Sequence, residues 1–108
     1  MKKGEVWLVE LPNIGGHEQR GYRPAILLAD SRTSVVIVIP CTSNKQVLRF
    51  PHTIRLTVSK QNGLDADSIA LILQVRAIDR RRLHQKIGEL EKSLIKEIDQ
   101  MLRALLKL

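Results

Sequence analysis

The sequence predicts a mainly β domain: a small barrel or sandwich of about six strands, followed by one C-terminal amphipathic helix. Three observations carry this. Six short runs rich in β-branched and aliphatic residues fall within the first 90 positions, a spacing that suits a small all-β core. Two of them, AILLA at 25–29 and VVIVI at 35–39, are almost continuously apolar beside one strictly alternating run, as in a curved sheet with a buried interior. From Leu90 the apolar period becomes that of a helix. A chain of 108 residues fits one domain, with the barrel over about 4–90 and the helix over about 91–107.

The elements follow in order. EVWLVEL at 5–11 reads as a strand that stops at a Pro-Asn turn signal. PAILLAD at 24–30 and SVVIVIPC at 34–41 are strands joined through SRT, and Pro40 is expected to end the second. HTIRLTV at 52–58 alternates apolar and polar residues, as a half-buried strand does. SIALILQVRAI at 68–78 reads as one long strand, and HQKIGEL at 84–90 as a weaker one. In the tail, Leu90, Leu94, Ile95, Ile98, Met101, Leu102, Leu105, Leu106 and Leu108 form one face of a helix, with Lys92, Lys96, Gln100, Arg103 and Lys107 opposite. The default for such a face is packing on its own sheet rather than on a partner. The segments 12–23, 42–51 and 59–67 are left as loops, where ligand-contacting residues are to be sought.

Charge points to the partner. The net charge is +7, and it is unevenly placed. Residues 1–30 carry four basic and four acidic groups, as do residues 88–108, whereas residues 31–87 carry ten basic and three acidic ones. A positive field in mid-chain favours a polyanion, with RNA or DNA first; an acidic protein and a merely solvated basic surface are the other readings. The single cysteine, Cys41, permits no internal disulfide and suits a reducing compartment; it reads as a small buried hydrophobe. MKKGEVW lacks the apolar core of a signal peptide, and no run is long enough to cross a bilayer, so a soluble, cytoplasmic protein without a membrane partner is expected. His17, His52, His84 and Cys41 form no metal-ligand spacing, so no metal is expected, and no phosphate-cradling glycine motif or nucleophile elbow is present.

Three segments hold the chemistry. In GGHEQRGYRP at 15–24, glycines permit close approach of a ligand, while Pro24 forces an extended backbone on Arg23. Arg23 is thereby fixed at a strand start, either as an electrostatic catalyst of phosphoryl transfer or as a structural partner of Glu18 or a loop carbonyl. In PCTSNK at 40–45, Thr42 and Ser43 beside Lys45 can hold phosphate oxygens or form an ordinary hydroxyl-capped turn. In QVRAIDRRRLHQK at 74–86, strand alternation sets Gln74 and Arg76 on one side, where they can read a base edge or clamp a phosphate; a solvated charged face is the plainer reading. Tyr22 and Phe50 are candidate base-stacking platforms, Phe50 equally a core residue.

Taken together and in order, these segments resemble the MazF/PemK family of toxin–antitoxin toxins. Gly16 to Pro24 matches a G-x-E-Q-x-G-x-R-P segment, Pro40 to Ser43 a P-x-T-S segment, and Asp67-Ser68, Gln74 to Asp79, Arg82-Leu83 and Ile87 to Leu90 a third block. The resemblance covers essentially the whole chain. It implies an SH3-like barrel with a C-terminal helix, a homodimer, and an endoribonuclease that cuts single-stranded RNA at short sequences with no metal or other cofactor. It implies Arg23 and Thr42 as the catalytic pair, and Glu18, Gln19 and Gln74 lining the RNA site. His17, Tyr22, Ser43 and Arg76 are then further substrate contacts. Glu18 or His17 is the candidate general base, because arginine keeps its proton; Glu18 is counted with the catalytic residues. A cognate acidic antitoxin, and operator DNA bound together with it, are the further implied partners. Ala77 departs from the family's usual threonine, which removes one hydroxyl.

Two other readings stand beside this one. A CcdB-like binder of DNA gyrase would share the fold but need neither the arginine segment nor Thr42. A plain nucleic-acid-binding, autoregulatory module would keep the basic middle but not need Arg23.

Overall fold

A computed structural model describes residues 1–11 and 22–108. These residues form seven strands and one helix: β1 (Glu5–Glu10), β2 (Tyr22–Asp30), β3 (Val35–Thr42), β4 (Thr53–Leu56), β5 (Ser68–Leu71), β6 (Arg76–Asp79), β7 (Leu83–Glu89) and α1 (Lys92–Leu106). All pairings are antiparallel, in the order β4-β5-β3-β2-β1-β7, with β6 also on β3. The extents of 31 × 30 × 28 Å are nearly equal, so this sheet curls rather than lying flat. The small barrel with a terminal helix is as the sequence predicts.

The apolar runs in β2 and β3 are explained by burial on both faces. On one side Val6, Ile26, Ile39, Cys41, Ile54, Leu56 and Ala70 form a core with Ile98 of α1. On the other, Val9, Ala25, Leu27, Val36, Val38 and Ile78 form a second cluster, with Trp7 and Leu83 against it. The helix spends its apolar face on the first core through Leu94, Ile95, Met101, Leu102 and Leu105, so it covers its own sheet.

Four details differ from expectation. The run 68–78 is not one strand but two, split by a 3₁₀ turn at Ile72–Gln74, which makes seven strands instead of six. The reason lies in β3, which pairs with both. Cys41 faces Ala70, so an unbroken register would set Val38 opposite Leu73; it faces Arg76 instead. The turn absorbs three residues and lets the chain follow β3 along two stretches. Pro40 does not end β3, because it falls between the β5-paired and β6-paired stretches, where that side of the ladder needs no donor. HTIRLTV shortens to Thr53–Leu56: His52 is in the left-handed region at φ 60°, and beyond Leu56 the chain enters a loop held by side chains. The 42–51 loop contains a 3₁₀ turn at Lys45–Arg49, started by Asn44, whose side-chain oxygen accepts from the Gln46 N–H at 3.1 Å.

Candidate active site

Arg23 belongs to the strand itself, not to a loop before it. It lies opposite Val9 of β1, and Pro24 lies opposite Leu8. The β2–β3 register begins at Ala25 opposite Pro40, so Pro24 meets no demand for a donor on that side. Carrying that register on by two residues sets Arg23 opposite Thr42. Both side chains thus stand on hydrogen-bonded strands of the sheet, which is the rigidity a fixed charge requires.

Arg23 and Thr42 line one cleft of about 260 Å³ together with Tyr22 and Ser43. Leu8, Pro24, Cys41 and Ile87 add apolar wall, and Asp65, Ala66 and Ser68 come from the 57–67 loop and the start of β5. The Oγ1 of Thr42 accepts from the Asn44 N–H at 3.2 Å, the hydroxyl-capped turn. That bond uses a lone pair and leaves the hydroxyl hydrogen to donate into the cleft. The turn and the functional reading are therefore compatible. Burial pushes the Cys41 thiol up to about 12, so it is inert wall and not a nucleophile.

The loop that brings Asp65 and Ser68 is held from within. Asn62 is fully buried, its Oδ1 accepts from the N–H groups of Ser59 and Leu64, both at 3.1 Å, and its Nδ2 donates to Thr57 O at 2.9 Å. The Oδ1 of Asp67 accepts from the Val58 N–H at 2.9 Å and closes the loop. Gly63, at φ +68°, and Gly88 allow it to lie directly on β7: a Cβ on Gly63 would be 1.9 Å from the Ile87 carbonyl oxygen, and one on Gly88 2.4 Å from Asn62 backbone.

Two more clefts lie on the described surface. The first, of about 380 Å³, shares Tyr22 and continues to Glu10, Asp79, Arg81, Arg82, Leu83 and His84. The second, of about 240 Å³, is mostly apolar and is lined by Val47, Phe50, Pro51, His52, Thr53, Leu71, Leu73 and Gln74. Phe50 is 53% exposed, so it is a surface ring and not a core residue, and the Arg49 guanidinium lies 5.0 Å from its centroid.

Tyr22, Arg23, Thr42 and Ser43 are thus brought together, as expected. Gln74 is not with them. It sits in the 3₁₀ turn, so the alternation that joined it to Arg76 does not hold, and it faces the apolar cleft. Arg76 is half-buried on β6 opposite Val38 and lines none of the three clefts. His17, Glu18 and Gln19 lie outside the described residues. Asp65 and His84 are not site candidates from the sequence, and Ser68 and Arg82 enter there only as members of the third matching block. The 59–67 loop is one of the segments where ligand contacts are to be sought, but its contact with β7 depends on Gly63 within it and on the distant Gly88. His84 lies on the weakest strand signal. Among the described residues no group of three His, Cys, Asp or Glu side chains could hold a metal ion, and no helix is long and apolar enough to cross a membrane.

The chain is similar over its whole length to known proteins. Residues 2–106 match the family described as PemK-like, MazF-like toxin of type II toxin–antitoxin system. The chain is 31% identical to endoribonuclease EndoA of Bacillus subtilis over 114 residues, covering 100% of this chain and 96% of that protein. It is also 31% identical to endoribonuclease MazF of Staphylococcus saprophyticus over 103 residues, 92% of this chain and 85% of that one. Among solved structures, MazF of Deinococcus radiodurans superposes with a TM-score of 0.79 at 23% identity, covering 100% and 97% of the two chains. A MazE–MazF complex from the same organism gives 0.69 at 27% identity, covering 98% and 94%.

Proposed function

The chain belongs to the PemK-like, MazF-like toxins of type II toxin–antitoxin systems, and from that premise we propose that it is an endoribonuclease that cuts single-stranded RNA by attack of a 2′-hydroxyl on the adjacent phosphate. The observation that carries this reading is the meeting of Arg23 and Thr42 in one cleft, on neighbouring strands whose register runs towards setting them opposite each other.

Cleavage by the neighbouring 2′-hydroxyl requires three things of the protein: a proton acceptor for that hydroxyl, stabilisation of charge on the pentacovalent phosphorane, and a donor for the leaving 5′-oxygen. The new bond joins the 2′-oxygen to phosphorus as the bond to the 5′-oxygen breaks, giving a 2′,3′-cyclic phosphate and a 5′-hydroxyl. Arg23 supplies the fixed positive charge for the equatorial oxygens and steadies the leaving 5′-oxygen, which takes its proton from water. Thr42 donates its hydroxyl hydrogen to a phosphoryl oxygen. Glu18 takes the 2′-proton, and His17, Gln19, Tyr22 and Ser43 hold the strand on either side. Gln74, in its separate cleft, contacts the RNA further along, and Arg76 contributes to the basic field. No metal or other cofactor takes part. Growth inhibition ends when a cognate antitoxin lays an acidic segment along the basic mid-chain surface. The active form is a homodimer in the cytoplasm, supported by the exposed Phe50 and Leu73 of the apolar cleft, and with its antitoxin it binds operator DNA.

The test is a long single-stranded RNA incubated in EDTA with the wild type, Arg23→Ala and Thr42→Ala. Cleavage by the wild type with 2′,3′-cyclic ends, and its loss in both variants, is expected. Uncut RNA with a folded wild type overturns the nuclease reading. Cleavage that EDTA abolishes overturns the metal-free mechanism, and full activity in Arg23→Ala overturns the site.

A further inference from the structure

The Tyr22 and His84 rings stack at 4.2 Å between centroids with 20° between planes. Their strands explain how. β2 and β7 both pair with β1, on opposite sides of it, so they stand two strand spacings apart, about 10 Å. β1 ends at Glu10, and the rings meet over that end. Each ring gives one face to the stack and keeps one outward, and Tyr22 is 51% exposed. A half-exposed aromatic pair is unusual as a mere core filler, because stacking on a base is what such a pair can still do.

The surroundings suit a nucleotide. The cleft of about 380 Å³ holding the pair lies within the range of about 300–1,000 Å³ typical of small-ligand sites. It adjoins the Arg23–Thr42 cleft through Tyr22, which lines both. Its charges are not equivalent. Arg81 is engaged by both oxygens of Asp79, at 3.1 and 2.9 Å, and is neutralised there. Among the described residues Arg82 pairs with Glu10, at 3.4 Å, a partly exposed contact that exchanges readily for a phosphate. Glu10 then remains as an acceptor for an exocyclic amino group or ring N–H of a base.

We propose that this cleft is a nucleotide subsite for the RNA residue flanking the cleaved bond, with the Tyr22–His84 pair as its stacking platform, Arg82 as its phosphate contact and Glu10 at the base edge. The proposal rests on the endoribonuclease reading for its place in the reaction, but the binding itself does not require cleavage. His84 acts here through its ring face and not as an acid or base. The +7 charge of the chain brings the strand in, and the aromatic pair fixes where one base comes to rest.

The experiment uses a 2′-O-methyl hexanucleotide carrying 2-aminopurine, which cannot be cut, and reads quenching of the probe on binding. His84→Ala should weaken binding about 5- to 150-fold, the range for loss of one stacked base. His84→Phe should restore it to within about threefold, and Arg82→Gln should weaken it with a smaller salt dependence. With a cleavable hexanucleotide, the His84→Ala loss should fall on KM more than on kcat, and shrink for a dinucleotide too short to reach the cleft. Binding unchanged in both His84→Ala and Arg82→Gln overturns the subsite, as does His84→Phe as weak as His84→Ala. If the wild type binds with this dependence but leaves cleavable RNA intact, the subsite stands and the nuclease reading falls. If RNA is cut and neither variant alters binding or KM, the nuclease reading stands and the subsite falls.

Discussion

The hydroxyl of Ser59 donates to Oε2 of Glu91 at 2.6 Å, thirty-two positions along the chain. Glu91 is the residue before α1, yet its side chain does not cap the helix. It turns instead to the 57–67 loop, where its other oxygen takes a longer contact of 3.4 Å from the Asn62 amide. This ties the loop that brings Asp65 and Ser68 to the cleft to the start of the helix. Asn62 is the centre of the arrangement, since it is fully buried and each side-chain polar atom has partners. Removing it strands buried donors and acceptors, at about 1–3 kcal/mol each where water cannot reach them. Asn62→Ala should therefore lower the unfolding free energy by about 2–4 kcal/mol. Urea denaturation measures it, and a loss below about 1 kcal/mol would show that the loop is held otherwise.

Acid should weaken the fold through groups of the same kind. Asp30, ordinarily near 3.8, is held at about 2, chiefly by a hydrogen bond from the Arg80 side chain and then by the Arg32 N–H. Glu91 is held below its ordinary value, chiefly by the Ser59 hydroxyl. A carboxylate depressed in the folded state contributes stability above its unfolded value, and that contribution disappears as pH falls through the folded one. For Asp30 the window is pH 3.8 down to about 2. Arg80→Met should be less stable than the wild type at neutral pH, and the difference should shrink across that window. A difference that stays constant from pH 5 to 2 would show that the Asp30–Arg80 pair is not its source.

The sequence made the architecture legible wherever burial governs pattern. VVIVI and AILLA are continuous because both faces of β2 and β3 are covered, and the 90–108 periodicity gave a helix that runs from Lys92 to Leu106. It failed at Ile72–Gln74, because the turn there contains neither Gly nor Pro and is demanded by the pairing of β3 with two partners. The same turn carried Gln74 away from Arg76. Within the site, local chemistry left Arg23 and Thr42 open between structural and functional roles; the order of the three segments, through the family resemblance, singled them out, and the structure sets both in one cleft. Asp65 and His84 were not legible, since one depends on Gly63 and Gly88 against β7 and the other on β1 lying between β2 and β7.

Thr42 offers a sharp separation of roles. Its oxygen accepts from the Asn44 N–H, and its hydrogen is assigned to the phosphate. Thr42→Ser keeps both bonds and should retain activity to within about tenfold. Thr42→Val keeps the shape but loses both, and should lower kcat by about 10²–10³, the usual effect of deleting one donor to transition-state charge. Equal activity in Thr42→Val and the wild type, in a single-turnover assay, would remove Thr42 from the chemistry.

Two carboxylates compete for the 2′-proton. Asp65 lines the cleft beside Arg23 and Thr42, whereas Glu18 is assigned by its place in the G-x-E-Q-x-G-x-R-P segment. A carboxylate next to a phosphate repels it unless it removes a proton or a nearby cation balances it, and Arg23 lines the same cleft to balance Asp65. On the proposed reading Glu18 is the base, and Asp65 is a counter-charge in the cleft that Arg23 also lines. Glu18→Gln should lower kcat by about 10²–10⁴ and flatten the acidic limb of the pH profile of kcat/KM. Asp65→Asn should keep that limb and lose less than about tenfold, a modest effect suited to a counter-charge that takes no proton. If Asp65→Asn instead flattens the limb and Glu18→Gln keeps it, the base is Asp65, and the proton leaves the RNA from the β5 side of the cleft.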